Sequence, residues 1–400
     1  MGSPSNANAT LKPILPDPGS ARDPNNFVGR KATTAHARRV LIRGGHLALT
    51  DPRRMGKSYW IEHFCATTED FVPVQIDYEG VTTTDMFVTR TAEALGRHDR
   101  IADRAKNTLR ALFENIAEIG AGPIKIKPGV LALTPPRLLR DTVMSVSDSV
   151  TDKPVLVCMD EVPAAILNIT KGQGALEAQS LLQTLRNLRR DAASIRWIIS
   201  GSVGFHHVLR HCHATEGDIN DLENLPLGPL AIDEAQELVQ RLLLGIRRSD
   251  VTEDAIEELI RCTGAIPYLI QHMANILDTQ APERIDPETV RKLFDEFIRD
   301  RDASRATTHL VSRVEQYYGE YQDPARRILD GIATSPHPVP FDDFATLAIA
   351  PGREPLDRTA LLDIADWLVD DHYICEEPTG YTWRYDVLRS IWAHRRKVGR

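Results

Sequence analysis

The sequence lacks a membrane-spanning run: none of its 400 residues lie in a stretch approaching the roughly 18 unbroken apolar positions that a transmembrane helix needs. It also lacks a cysteine framework. Cys65, Cys158, Cys212, Cys262 and Cys375 are odd in number, widely scattered and without a Cys-x-x-Cys pair, which argues against a disulfide scaffold or a zinc site. The first ten residues are polar and lack the apolar core of a secretory signal. A reducing cytoplasm is the expected location. Positive charge is not in excess either. The net charge is −8, whereas a chain built mainly to coat nucleic acid is usually basic. Only the end, His394-Arg-Arg-Lys-Val-Gly-Arg400, is locally basic. There is no internal repeat and no long low-complexity tract.

What is present is ordinary globular composition, 42% apolar and 26% charged, in a length that suits two or three domains. Residues 1–26, rich in Pro, Ser, Asn and Asp, read as a disordered tail or arm. Residues 27–230 then alternate short apolar runs with amphipathic segments. His46–Thr50, Val72–Asp77, Pro154–Met159 and Ile195–Ser200 read as strands. Helices are predicted from near Gly56 to Thr67, over Thr84–Leu95, over Asp103–Ile119 and over Gly174–Arg190, the last with Leu181, Leu182, Leu185 and Leu188 on one face. Alternating strands and helices predict an α/β fold with a parallel sheet covered on both sides. Residues 231–320 read as an all-helical, lid-like region: Ile232–Leu244, Thr252–Cys262, Pro267–Leu277, Pro287–Arg299 and Ser304–Tyr318. Residues 321–400 read as three helices, two short strands (His372–Glu376 and Tyr381–Arg384) and a last helix near Val387–Arg396, the order of a winged helix-turn-helix.

The chemistry concentrates at Thr50-Asp-Pro-Arg-Arg-Met-Gly-Lys-Ser58, set between a strand and a helix. That is the context of the phosphate-binding rule Gly-x-x-x-x-Gly-Lys-Ser/Thr. Inward-pointing backbone N–H groups and the positive helix N-terminus hold phosphate oxygens. Lys57 reaches the β- and γ-phosphates and Ser58 offers its hydroxyl to Mg²⁺. Asp51 stands where the rule has its first glycine. The position is expected to need an unusual backbone, which Asp tolerates better than most side chains. Its carboxylate is expected to repel phosphate unless Arg53 or Arg54 neutralises it.

The partner motif is Val155-Leu-Val-Cys-Met-Asp160-Glu161, a buried strand ending in two carboxylates. Asp160 is expected to hold Mg²⁺ through water, and Glu161 to act as general base on the attacking water. Alone, such a pair often merely caps a helix; beside the loop it reads as the second half of an ATP site. The strand Ile195–Ser200 leads into Gly201-Ser202. Ser202 is the candidate contact to the γ-phosphate or the water, with a plain Gly-Ser turn as the alternative. Gly264 and Pro267 read as the end of one helix and the start of the next.

These residues resemble a known group. Asn26-Phe-Val-Gly-Arg30 before the first strand, Asp51-Pro-Arg-Arg-Met-Gly-Lys-Ser58, Gly264-Ala-Ile-Pro-Tyr268 and Tyr385-Asp-Val-Leu-Arg-Ser-Ile-Trp392 are similar to the archaeal-type AAA+ ATPases related to the STAND class. The resemblance covers most of residues 26–400, although Asp51 departs from the family's glycine. It implies an AAA+ core, a helical lid and a winged helix, with nucleotide state controlling domain arrangement and often oligomerisation. By the same resemblance Phe27, Val28, Gly29 and Arg30 approach the adenine, and Pro267 and Tyr268 sense nucleotide from the lid. The nucleotide-binding set is completed by Pro52, Met55, Gly56 and Tyr59. Arg210 is the preferred arginine finger for a neighbouring subunit, ahead of Arg186, Arg189 and Arg190, most of which read as a solvated face.

Two segments bear on partners. Gly120–Leu133 reads as a β-hairpin with Lys125 and Lys127 on one face, suited to touching DNA or a partner, or simply a protected edge. The would-be recognition helix, about Leu356–Val369, carries Glu354, Asp357, Asp363, Asp366, Asp370 and Asp371 in or beside it against Arg358. That charge opposes phosphate binding and favours a protein partner, although Arg384, Arg389, Arg395, Arg396 and Lys397 leave a basic edge. Three functions fit: an ATP-hydrolysing switch, a nucleotide-dependent DNA-binding regulator, and a non-catalytic scaffold that keeps nucleotide bound.

Overall fold

The computed structural model describes residues 11–19, 23–97, 134–150, 152–247, 250–300, 309–350, 352 and 354–399. The expected helix over 103–119 and the expected hairpin with Lys125 and Lys127 lie outside them. The chain divides into two compact units. One comprises Lys31–Pro52 and Lys57–Leu227; the other takes its residues from Met1–Arg30, Arg53–Gly56 and Gly228–Arg400.

The first unit is built on β1 (His46–Leu49), β2 (Val72–Asp77), β3 (Val155–Asp160), β4 (Ile195–Ser200) and β5 (Leu222–Asn224). They form one parallel sheet in the order β2-β3-β4-β1-β5. The inner strands are buried along nearly their whole length, as strands covered on both faces must be. Around them lie α1 (Lys31–Ile42), α2 (Lys57–Thr67), α3 (Thr84–Arg97), α4 (Pro135–Ser149), α5 (Val162–Gln173), α6 (Ala175–Asp191) and α7 (Phe205–Cys212). Trp60 on α2 is fully buried, donates its Nε1–H to Thr34 Oγ1 on α1 at 3.0 Å and stacks on Phe64. α2 is thereby locked to α1.

Register matters more than order. Leu49 pairs with Ser200, Met159 with Ile199 and Asp77 with Asp160. The carboxyl ends of β1, β4 and β3 therefore finish in one row. In open α/β sheets, ligands bind outside that edge.

The sequence pattern locates β1 to β4, α2, α3 and α6. It passes over α1, α4, α5, α7 and β5. In α1 only Ala37 and Leu41 are buried, too narrow a face to show as a period. β5 is a three-residue edge strand, Leu-Glu-Asn, with no alternation to detect.

The second unit contains α8 (Ile232–Gly245), α9 (Glu253–Thr263), α10 (Pro267–Gln280), α11 (Pro287–Arg299), α12 (His309–Tyr317), α13 (Gln322–Thr334), α14 (Phe344–Ala348), α15 (Arg358–Asp370), the antiparallel pair β6 (Ile374–Glu377) and β7 (Gly380–Trp383), and α16 (Asp386–Arg396). One apolar core runs through all of it, from Leu242 and Met273 to Ile328, Phe344, Ile364, Ile374 and Trp392. Asp286 and Asp357 cap α11 and α15 by accepting from the N–H of Thr289 and Ala360. Gly264, left-handed at φ 59°, ends α9, and Pro267 opens α10.

Residues 11–17, expected within a disordered tail, are instead held on this unit. The Ile14 N–H donates to Arg241 O at 2.9 Å, Arg241 Nε donates to Lys12 O at 2.9 Å, and the Ile14 side chain is buried. A Cβ on Gly245 would lie 1.9 Å from Ile14 O, so only glycine leaves room for this segment. The prolines at 13, 16 and 18 keep it extended, a contact that hydropathy alone does not announce.

A buried ion pair fastens the C-terminal helices. Arg313 on α12 donates to Asp371 Oδ1 at 2.8 Å, and Tyr318 donates its hydroxyl to Asp371 Oδ2 at 2.9 Å. The Arg313 and Asp371 side chains are 7% and 0% exposed. Arg313→Leu strands a buried carboxylate, so unfolding in urea should show a loss of about 3–5 kcal/mol. Adding Asp371→Leu should restore much of it.

Candidate functional site

Within the sheet unit, α2 opens directly after the loop, so Lys57 and Ser58 occupy its first turn. The Lys57 ammonium is buried and donates to the carbonyl of Asp51 and, at 3.0 Å, to that of Pro52. Ser58 Oγ donates to Asp160 Oδ2 at 2.7 Å. Asp160 Oδ1 accepts from Ser200 Oγ at 2.5 Å and from the Glu161 N–H at 3.0 Å. One carboxylate thus joins α2, β3 and β4.

Glu161 follows in a left-handed conformation, φ 58° and ψ 27°, at the N-cap of α5. For a residue with a Cβ this costs roughly 1–3 kcal/mol and is held only by its surroundings. Those surroundings are visible. Glu161 Oε2 accepts from Ser202 Oγ at 2.9 Å and from the Ser202 N–H at 3.1 Å. Gly201 lets the two segments close, since a Cβ there would lie 2.6 Å from Pro163 Cδ.

The expected strain at Asp51 is absent. Among the loop residues it is Arg54, at φ 78°, and Gly56, at φ 89°, that adopt left-handed backbone. The Asp51 carboxylate is buried within the sheet unit. It is 1% exposed and Oδ2 accepts from the Leu227 N–H at 2.9 Å.

The other expected site residues belong to the helical unit. Arg30, itself left-handed at φ 61°, donates to the carbonyls of Met55 at 3.1 Å, Gly228 at 2.6 Å and Pro229 at 3.0 Å. Its guanidinium is therefore engaged with backbone, holding the loop residue Met55 from the carbonyl side. Gly29, at φ 80°, approaches Glu234 too closely for any Cβ. Val28 and Met55 are buried in the core, and Phe27 is half-buried. The Arg54 guanidinium lies 4.2 Å from the ring centre of Tyr268, on which His272 packs edge-on. Burial raises the Tyr268 hydroxyl. Burial first, then the Arg54 charge, drives the His272 imidazole down to about 4.

The sheet unit thus brings together Lys57, Ser58, Asp160, Glu161 and Ser202. Arg210 stands half-exposed in the last turn of α7, and Tyr59 half-buried on α2. Arg189 is no solvated arginine: its side chain is 2% exposed and grips Asp221 at 2.6 and 2.8 Å. Ser200 is the site residue that pattern reading missed. Its signal was a hydroxyl ending an otherwise apolar strand beside the loop strand.

No protein-family model matches the sequence, and no curated protein matches it. Among solved structures, the Walker-type ATPase of Pyrococcus abyssi superposes with a TM-score of 0.64 over 95% of this chain and 99% of that one, at 15% identity. At that identity the likeness shows the fold alone, an α/β fold on a five-stranded parallel sheet. The Thermotoga maritima RuvB Holliday junction branch migration motor (TM-score 0.42, 12% identity, 91% of this chain and 94% of that one) and Cdc6p from Pyrobaculum aerophilum (0.43, 15%, 92% and 93%) lie too far away to carry argument.

Two outcomes test this geometry. Gly201→Ala should cost about 1–3 kcal/mol by chemical denaturation, because the added methyl meets a rigid proline ring. His272 is neutral in the fold and has an ordinary unfolded value near 6.5. The stability it contributes is complete above pH ~6.5 and is lost as pH falls toward 4. Melting temperature across that window should drop less steeply in His272→Gln than in wild type.

Proposed function

We propose that this chain binds ATP with Mg²⁺ and hydrolyses it slowly, as an AAA+/STAND-like switch whose nucleotide state controls assembly or partner engagement. The observation that carries the reading is the cluster of Lys57, Ser58, Asp160, Glu161 and Ser202 at the carboxyl ends of β1, β3 and β4. The donor set suits the ion: a serine hydroxyl and a carboxylate 2.7 Å apart offer only oxygen, the preference of a hard divalent cation. Mg²⁺ would supply charge neutralisation at the phosphates.

The chain's own residues do the rest. Lys57 exchanges the carbonyls of Asp51 and Pro52 for phosphate oxygens. Ser58 and Asp160 would hold the ion. Glu161 orients and deprotonates the attacking water, and Ser202 restrains Glu161 until its own donors are drawn to the γ-phosphate or the water. Asp51, Pro52, Arg53, Arg54, Met55, Gly56 and Tyr59 shape the phosphate end. Phe27, Val28, Gly29 and Arg30 serve the adenine end, with Arg30 acting through the Met55 carbonyl. Pro267 and Tyr268 report nucleotide state from the helical region 231–320. Arg210 acts as the finger toward a second copy of the chain.

Residues 321–400 are proposed to be a winged helix that meets a protein. Glu354, Asp357, Asp363, Asp366 and Asp370 are exposed on or beside α15, a face that repels phosphates. A cytoplasmic setting fits the free thiols. The described residues include no helix long and apolar enough to cross a membrane.

Phosphate release from Mg²⁺-ATP, paired with binding of a fluorescent ATP analogue, tests the reading. Glu161→Gln should slow turnover by about 10²-fold or more while leaving binding intact. Lys57→Ala should abolish binding. A wild-type chain that takes no nucleotide with Mg²⁺ would overturn the proposal.

A further inference from the structure

Asp160 receives its donors unequally. Oδ1 accepts two, the Ser200 hydroxyl at 2.5 Å and the Glu161 N–H at 3.0 Å, while Oδ2 accepts from Ser58. Ser200 is fully buried on the central strand β4, and its backbone pairs with Leu49, the last residue before the loop. Its backbone is therefore fixed in the ladder, and the carboxylate it meets is held against a fixed strand. A carboxylate with two fixed donors on one oxygen cannot rotate about its Cβ–Cγ bond without breaking a charge-assisted bond in a buried setting.

From this geometry we infer that Ser200 is a positioning residue for metal binding: it pins Oδ1 so that Oδ2 stays beside the Ser58 hydroxyl, where the cation is taken. The inference rests on the proposed Mg²⁺-nucleotide reading. Ser202, two residues on, donates to Glu161 instead. One short segment thus sorts the adjacent carboxylates into separate tasks, with Ser200 holding the metal carboxylate and Ser202 the base. The strand register enforces the division. Ser200 still lies within the β4 ladder, paired with Leu49, whereas Ser202 lies past Gly201, beyond the end of β4.

The test uses the full chain, Mg²⁺ and a fluorescent ADP analogue, read as nucleotide binding rather than turnover. Affinity is measured first in EDTA, then across a Mg²⁺ titration. Ser200→Ala should raise the Mg²⁺ concentration for half-maximal enhancement of binding by about ten-fold or more, the usual effect of losing a residue that orients a metal ligand. Metal-free affinity should stay within about two-fold of wild type by the same argument. Ser200→Cys, of similar volume and with a weaker donor, should shift in the same direction and keeps the test open if the alanine variant folds poorly. An unchanged requirement in both Ser200 variants, or an equal fall in metal-free affinity, overturns the inference alone. A wild type whose nucleotide binding ignores Mg²⁺ overturns the functional reading together with it.

Discussion

The Asp160 carboxylate is the interaction on which the sheet unit's site depends. It accepts from Ser58 on α2, from Ser200 on β4 and from the N–H of Glu161 at the start of α5. Three segments far apart in sequence meet on two oxygen atoms. This is possible because β4 lies between β1 and β3, so that the strand leading to the loop, the strand carrying a hydroxyl and the strand carrying the carboxylates end in one row. Shifting β4 by one residue would turn Ser200 to the other face of the sheet and leave Asp160 Oδ1 without its hydroxyl donor. The arrangement is a consequence of register, and register is fixed by the apolar residues of the inner strands, which are buried on both faces.

Strain is placed beside that anchor. Glu161 is left-handed, and so are Arg54 and Gly56 in the loop. Each is held by its surroundings: Glu161 by the Ser202 donors and by Pro163 against Gly201, and the Arg54–Gly56 stretch by the Arg30 guanidinium on the Met55 carbonyl. A residue in a costly backbone state with a carboxylate in a defined direction is the usual signature of a preorganised group. Two glycines act by absence of volume: Gly201 admits a proline ring and Gly245 admits a backbone carbonyl. Gly56 differs, since nothing lies near its missing Cβ, and its backbone angle alone demands glycine.

The inner strands were legible because they are continuous apolar runs, and α6 because its leucines recur at helical spacing. Most of the helices after residue 230 were legible from amphipathic period and from Pro and Gly at their ends. That residues 50–58 and Asp160-Glu161 meet was legible because each segment ends an apolar strand of the sheet. What escaped is non-local. Ser200 matters only through a partner on another strand, so its meaning lies in the register. Arg30 looks like part of a nucleotide-contacting lead-in, yet its three carbonyl partners come from residues 55, 228 and 229. The Ile14 segment reads as a tail because its composition is that of a tail; it stays in place through a buried side chain and hydrogen bonds of Lys12, Ile14 and Asp17 to Arg241 and Gln271.

Asp51 shows why a motif position is better read as a backbone requirement than as a letter. Glycine at the first position of the rule raises the expectation that the chain there needs an angle forbidden to other residues. Here the left-handed residues are 54 and 56, and Asp51 is free to carry a side chain. That side chain has a structural task, taking the N–H of Leu227 just beyond β5 and so tying the end of the edge strand to the start of the loop. A buried carboxylate is tolerable when it accepts a backbone donor, and costly when it faces another anion. Its carboxylate accepts from Leu227, while the Lys57 ammonium rests on the Asp51 carbonyl. The carboxylate thus fills a backbone-holding role that glycine at this position could not fill.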